Sequence, residues 1–585
     1  MTMASEDSRV HLAELSRHND LPSESELQDA FQLRSNLQEV LIQVDTEIKR
    51  LKERRADIQK SIDTYNHVLS PARRLPPDIL REIFYHCLPD DHNPTMSAKE
   101  APVLLTRVCS TWRAIALTSP PIWARLHISL PVNPSLFPGF GVLLSPTAIA
   151  KRYQVFSKVM ELRCRVVKDW LTRSGTCPLS ISLSTPFRSK ERVDDSVDAR
   201  EAYEATEALF QQILSFSPRW KDVELSMPLF FYKKLESHIS GDDLPLLNSL
   251  RGNIQRNHED SEGADPFPGR FLAAPNLQRL SFHSAKLTHN PMFLHTWSRL
   301  TDLHIQETIQ DTDFFNIIKL CRNLITCQVD YLDTNWGEES PQEVLIPTLQ
   351  MIRINQKSGV SDVVHAINAP NLKSLDYRSP ARLLDHESEE PAMIGRADAL
   401  LALVERGAST LRKLTLVPEF LRPEDTLTCL RLANGISHLV LRYGYYSYDP
   451  IEQDALGSDS FDLHLLTVHI DSGSRAILLP KLEVLEVDDI RQFTDEDLLS
   501  LLTSRMDAAR RGYVSPLRHL KLQFARQRQR DIREEACQRA QSSGFELNLE
   551  LDYAPDSLLF NGWLAPSYGI PSRRCLGEIW PPVIM

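Results

Sequence analysis

From Leu37 to Leu69 the apolar residues return at alternating steps of four and three. Leu37, Val44, Leu51, Ile58 and Tyr65 form one set; Leu41, Ile48, Arg55, Ile62 and Leu69 form the other, with Arg55 the one break in the seam. This period puts all ten on one narrow stripe of an α-helix. Neither proline nor glycine interrupts the segment, so it predicts a helix about 50 Å long at 1.5 Å per residue. Its other faces are charged, as in Lys49-Arg50-Leu51-Lys52-Glu53-Arg54-Arg55, and that basic run reads as a solvated helix face. Two readings of the seam stay open: an intermolecular coiled coil, or a long helix folded against the chain's own body. An arginine in the seam weakens a self-dimer. Residues 1–30 read as a disordered lead and 31–70 as the coiled-coil helix.

Ser70-Pro71 stops that helix, and the period changes. Leu75-Pro76-Pro77-Asp78 opens a new one, with proline in the first turn and an acid near the positive end of the helix dipole. Leu80, Ile83, Phe84, Cys87 and Leu88 then share a face. After a polar loop over 89–102, a second helix is predicted from Val103 to Leu117, with Leu105, Val108, Cys109, Trp112, Ile115 and Ala116 on one side. Pro120-Pro121 ends it, and Ile122-Trp123 follows as an apolar hook.

Further along, the pattern L-x-x-L-x-L, with any aliphatic or aromatic residue at the three positions, starts at Leu277, Leu300, Leu324, Leu349 and Leu372, at steps of 23 to 25 residues. It starts again at Leu411, Ile436, Leu482 and Leu517, with earlier candidates at Trp220 and Leu247. Proline stands two residues before the motif at Pro275, Pro347, Pro370 and Pro480, and one before it at Pro516. Proline ends a preceding helix and forces an extended lead-in, which suits a short strand after a helix. Helical stretches are predicted between strands, as at Asp313 to Cys321 and Asp495 to Met506. Polar insertions fall near 258–269, 379–395 and 446–460.

With 585 residues, 42% apolar and 25% charged, the chain is of ordinary globular composition, long enough for several domains or one repeat array. Its net charge of −12 argues against broad binding to nucleic acid. No run of about 20 apolar residues suggests a membrane span. The polar stretch Met1 to Asp20 does not read as a secretory signal. Nine cysteines without a C-x-x-C pair suit buried free thiols in a reducing compartment, cytoplasmic or nuclear.

LPPDILREIFYHCLP, then VCSTWRAIAL, then PPIW resembles the F-box. Leu75, Pro76, Leu80, Ile83, Phe84, Val108, Cys109, Trp112, Arg113 and Trp123 stand at matching positions, and the loop from Asp90 to Ala101 is longer than in compact F-boxes. With WLTRSGTCPLSISL (Trp170 to Leu183) behind it, the arrangement is similar to the large F-box families of mushroom-forming fungi. The repeat region (165–555) resembles leucine-rich repeats of the 20–29-residue class. It departs from them three residues past the third apolar position, where Ala285, Thr308, Leu332, Lys357 and Pro380 replace the usual Asn or Cys. The asparagine ladder expected there is missing.

The resulting expectation is an α/β chain: a long coiled-coil-like helix, a small all-α F-box (71–130), an irregular leucine-rich-repeat-like solenoid and a tail (556–585). The resemblance implies a substrate-recognition adaptor of an SCF-type cullin–RING ubiquitin ligase. Leu75, Pro76, Leu80, Ile83, Val108, Cys109, Trp112, Arg113 and Trp123 would meet the Skp-family adaptor, and through it a cullin. The repeats would hold a protein substrate. Some of these side chains must also form the small domain's own core. The other reading is a non-catalytic scaffold that uses the coiled coil, possible self-association included, and the repeats without ligase assembly.

No chemistry competes with these readings. G-x-x-x-x-G-K-S/T, H-E-x-x-H and G-x-S-x-G are all absent, so no enzyme, metal or cofactor is expected. Cys321 and Cys327 read as buried thiols. His464 and His469, flanking Val468 in a strand-like run, read as satisfied or surface histidines. The pairs Asp194-Asp195 and Asp488-Asp489 read as turn or surface acids, and Arg526 to Arg530 as a solvated helix face.

Overall fold

The computed structural model describes residues 21–131, 146–185, 197–255, 269–283, 294–333, 342–356, 362–378, 389–418, 421–442, 461–469 and 477–554. The chain divides into two compact units, Met1–His86 and Cys87–Met585.

In the first unit, α1 (Glu24–Leu69) starts earlier than the heptad alone predicts. Ser23 caps it in a capping box with Glu26, and two acids lie in its first turn, so residues 24–30 belong to the helix and not to a disordered lead. The extension adds Leu27, Ala30 and Arg34 at seam spacing. Ser70, in extended backbone, ends α1, and α2 (Pro77–His86) follows with proline and Asp78 in its first turn.

The second unit is built on a fourteen-stranded parallel sheet. Its strands are β1 (Arg125–Ser129), β2 (Leu179–Ser184), β3 (Trp220–Pro228), β4 (Ser249–Gln255), β5 (Arg279–His283), β6 (Asp302–Gln310) and β7 (Thr326–Asp333). They continue as β8 (Met351–Gln356), β9 (Ser374–Arg378), β10 (Lys413–Leu416), β11 (His438–Leu441), β12 (Val484–Ile490), β13 (His519–Phe524) and β14 (Asn548–Tyr553). Each strand pairs with its successor in the chain. Parallel neighbours need crossover connections. Here these include helices such as Pro146–Arg173, Val197–Leu214, Asp311–Ile318, Pro423–Leu432 and Asp495–Arg510. The sheet begins at β1, ahead of the repeat boundary expected at residue 165.

The motif residues account for this sheet. Its second apolar positions stand in register across all fourteen strands, from Leu126 through Ile181, Val223, Leu250, Leu280, Leu303, Cys327, Ile352, Leu375, Leu414, Leu439, Leu485 and Leu520 to Leu549. The first thirteen, up to Leu520, are buried, as are all nine first positions from Leu277 to Leu517, while Leu549 at the end is half-buried. Each fully buried aliphatic side chain contributes about 1.5–3 kcal/mol of transfer free energy, so stacking, not any single unit, supplies the core.

The prolines act through turns. Leu277, Leu349, Leu372 and Leu482 each donate their N–H to the carbonyl three residues back, at Ala274, Ile346, Ala369 and Leu479. That places Pro275, Pro347, Pro370 and Pro480 at the second position of a β-turn, where the ring's fixed φ is favoured. The same bond without proline delivers Leu300, Leu324 and Ile436.

A polar ladder does exist, at a different position. The residue just before the first apolar position donates its side chain to the carbonyl two before that position in the preceding repeat. Asn276 reaches Pro245 (2.7 Å), Asn323 reaches Ser298 (2.8 Å) and Asn371 reaches Pro347 (2.9 Å). Arg299 reaches Pro275, Thr348 reaches Arg322 and Thr410 reaches Pro370. At the position where the ladder was expected, Thr308 is exposed and Leu332 is buried; Ala285, Lys357 and Pro380 lie outside the described residues.

Several local expectations are corrected. Val103–Leu117 is not one helix: a 3-10 turn (Leu104–Arg107) precedes α3 (Ser110–Leu117), and Cys109 between them is extended and accepts the Trp112 N–H on its sulfur. PPIW is itself a 3-10 turn. Residues 463–466 form a 3-10 helix, not a strand-like run, with His464 and His469 exposed. Residues 389–395, expected in an insertion, belong to helix Glu389–Gly407. The other expected insertion residues, 258–268, 379–388 and 446–460, lie outside the described residues, as do Asp194-Asp195 and the tail.

Arg526 to Arg530 is not helical. Arg526 lies over the Phe524 ring at 4.5 Å and donates to buried Asp495 (2.8 Å), which also accepts the N–H groups of Gln529 (2.8 Å) and Arg530 (2.7 Å) and the Tyr553 hydroxyl (3.1 Å). Burial pushes the Asp495 carboxyl up, but these donors outweigh it and hold it below its ordinary range. One carboxylate thus ties β13, β14 and helix Asp495–Arg510 together. Arg528 and Arg530 are exposed.

Candidate partner-binding surfaces

The F-box-like residues fall on both units. In the first, Leu80 and Phe84 are buried, while Pro76, Ile79, Ile83 and Tyr85 are exposed and Leu75 is half-buried. In the second, Val108, Cys109 and Arg113 are exposed and Trp112 is half-buried, whereas Ile115, Ala116, Ile122 and Trp123 are buried. The division between core and surface that the sequence left open is therefore drawn: Leu80 and Trp123 are core residues, while Ile83, Val108, Cys109 and Arg113 face solvent.

The hook around Trp123 fuses this segment to the sheet. Its indole N–H donates to the Ala116 carbonyl (2.8 Å), its ring meets Trp170 edge-on at 4.8 Å, and Arg173 lies over it at 5.1 Å. Trp170 in turn donates to the Arg125 carbonyl (3.2 Å). Arg113 Nε donates to the Thr106 carbonyl (2.7 Å), which ties α3 to the preceding 3-10 turn. The long loop from Asp90 to Ala101 serves β1, the first strand of the sheet. His127 N–H donates to the Pro94 carbonyl (2.8 Å), Arg125 to the His92 carbonyl (2.7 Å), and Ser180 to Asn93 (3.0 Å). An open strand edge is an aggregation hazard, and this loop covers it.

The other face of the sheet is polar. Alternation places Glu224, Arg251, Ser281, His304, Gln328, Arg353 and Asp376 in one row across β3 to β9. Its first five members, Glu224 to Gln328, line an open hollow of about 470 Å³ over β3 to β7, whose lining also includes Asn253, Arg279, Asp302 and Gln306. Ion pairs knit this face: Arg279 with Asp222 (2.8 Å), His304 with Asp330 (3.2 Å), Arg378 with Asp376 (2.7 Å), His438 with Glu486 (2.8 Å), and Arg442 with Asp488. At Asp330 and Glu486 burial raises the carboxyl, but His304 and His438 respectively outweigh it and keep each below its ordinary range. Asp488 is thus a strand residue in an ion pair, not a turn acid.

Among the described residues no group of three or more His, Cys, Asp or Glu is placed to hold a metal ion. Cys321 and Cys327 are buried, and burial pushes the Cys327 thiol up to about 12. The thiols are not uniformly buried, however: Cys87 and Cys109 are exposed, and Cys164, Cys177 and Cys537 are half-buried. Cys575 lies outside the described residues. No described helix is long and apolar enough to cross a membrane.

Glu236 was not legible as a special residue in the sequence. It is buried, with Oε1 accepting the Arg270 and Phe271 N–H groups and the Tyr232 hydroxyl, and Oε2 unpartnered among the described residues. Burial raises its pKa to about 7. Its only signal in sequence was an acid at an apolar position of a helix, which is weak. No family model matches this chain, and no curated protein matches it.

Proposed function

We propose that this chain is a substrate-recognition adaptor of an SCF-type ubiquitin ligase. The observation that carries the proposal is the ordered set LPPDIL, VCSTWRAIAL and PPIW. The exposure of Ile83 in the first unit, and separately of Val108, Cys109 and Arg113 in the second, supports it. The solvent-facing residues would meet the Skp-family adaptor, and the polar face of the leucine-rich-repeat-like sheet would hold a protein substrate. Catalysis would belong to the assembled ligase, with this chain supplying proximity. The test is co-purification of the full chain with a Skp-family adaptor and a cullin; the reading requires recovery of both.

A second reading is a scaffold that binds the Skp-family adaptor without ligase assembly. The exposed apolar seam of α1 favours it, because that seam offers oligomerisation. Recovery of the adaptor without any cullin would select it.

A further inference from the structure

The seam of α1 is open along its whole length. Leu27, Leu37, Leu41, Val44, Ile48, Leu51, Ile58, Ile62, Tyr65 and Leu69 are between 42% and 67% exposed. A contiguous apolar stripe of this kind marks an interaction surface. The steps of four and three assign Leu27, Arg34, Leu41, Ile48, Arg55, Ile62 and Leu69 to heptad position a, and Ala30, Leu37, Val44, Leu51, Ile58 and Tyr65 to position d.

We propose that α1 pairs with α1 of a second copy of this chain as an antiparallel two-stranded coiled coil centred between Lys49 and Arg50. The charges select the orientation. In a parallel pair, each a position faces its own copy, so Arg34 would face Arg34 and Arg55 would face Arg55 inside the seam. In an antiparallel pair, a faces d. The proposed centre sets Ile48 against Leu51, Leu41 against Ile58 and Leu37 against Ile62. Arg55 then meets Val44, and Arg34 meets the ring of Tyr65, a favourable cation–π partner.

The flanking positions agree with the same centre. Antiparallel helices place e beside e and g beside g. Asp45 and Lys52 are both e positions, and Glu47 and Arg54 are both g positions, each pair straddling the midpoint. Two-fold symmetry makes each contact twice, giving four attractive pairs and no like-charged one among these residues. Such flanking charges set orientation in coiled coils. Glu47 now bonds Arg50 of its own helix (2.7 Å), but both groups are exposed and such pairs contribute little, so Glu47 is available to Arg54 of the second copy.

This inference is independent of the adaptor reading, and its test uses the full chain. A spin label is introduced as an unnatural amino acid at Gln32 or at Glu53, both on the outer face of α1, and pairwise label distances are measured together with the mass in solution. The proposal predicts twice 66.7 kDa. Gln32 labels should lie about 50 Å apart and Glu53 labels roughly 20 Å apart. Short distances at both sites would mean a parallel coil and overturn it. A single-chain mass, or a mass above two chains, would overturn it equally.

Discussion

The ring of Phe282 occupies the place that a side chain at Gly252 would fill. The two residues are register partners on β4 and β5, and a Cβ built on Gly252 would stand 2.6 Å from Phe282 Cδ1. The third apolar position of the repeat is therefore shared: one strand gives it up and its neighbour fills both places. Gly252→Ala should destabilise the second unit by about 1–3 kcal/mol through overpacking. Adding Phe282→Leu should recover part of that loss. Denaturant midpoints of the two variants check this, and an unaffected Gly252→Ala would refute the shared position.

The repositioned polar ladder predicts additive losses. Asn276, Asn323 and Asn371 each make one bond to the preceding repeat, and the three sites are far enough apart to act independently. Each change to alanine should cost roughly 0.5–1.5 kcal/mol, with the triple variant near the sum. Asn36→Ala on α1 should leave the midpoint of the second unit unchanged. Three null effects would show that the ladder contributes nothing.

Much of this was legible in the chain. The nine motif starts from Leu277 to Leu517 all precede strands, because an apolar residue that recurs at a repeat period has to be buried at each turn. The ladder was not legible at the consensus position, because these repeats carry it elsewhere; Asn-Leu at 276, 323 and 371 held the signal one residue ahead of the motif. Nor was the break at Cys109, because a face that reads as helix continues through a residue whose extended backbone caps the next helix. Arg526 read as solvated because its partner, Asp495, is 31 residues away. The polar face of the sheet was visible only as the residues between apolar ones, and pairing them needed the strand register.

Burial of Glu236 predicts a pH dependence. Its folded pKa of about 7 lies above the ordinary 4.5, so the folded state binds the proton more tightly than the unfolded chain. The associated stability is fully present below the unfolded value and is lost as pH rises through 7, a span of about 3 kcal/mol at most. Glu236→Gln, which keeps the acceptor for the Arg270 and Phe271 N–H groups, should flatten this part of the stability–pH curve. A slope equal to that of the wild type between about pH 5 and pH 8 would contradict it.

The thiols should separate by reactivity. Cys87 and Cys109 are exposed, whereas Cys327 and Cys429 are buried and pushed up to about 12. Alkylation of the native protein at neutral pH, followed by peptide mass spectrometry, should label the first two and spare Cys321, Cys327 and Cys429 until denaturant is added. Native labelling of Cys327 at the rate of Cys109 would show that its repeat opens readily.

The adaptor reading is tested most directly by the affinity of the purified full chain for a purified Skp-family adaptor. Wild type should bind. Ile83→Asp and Val108→Asp change exposed side chains, so each should weaken binding at least about tenfold, or 1.4 kcal/mol, with an unchanged thermal midpoint. Absence of binding by the wild-type chain, or full binding by both variants, would contradict the account.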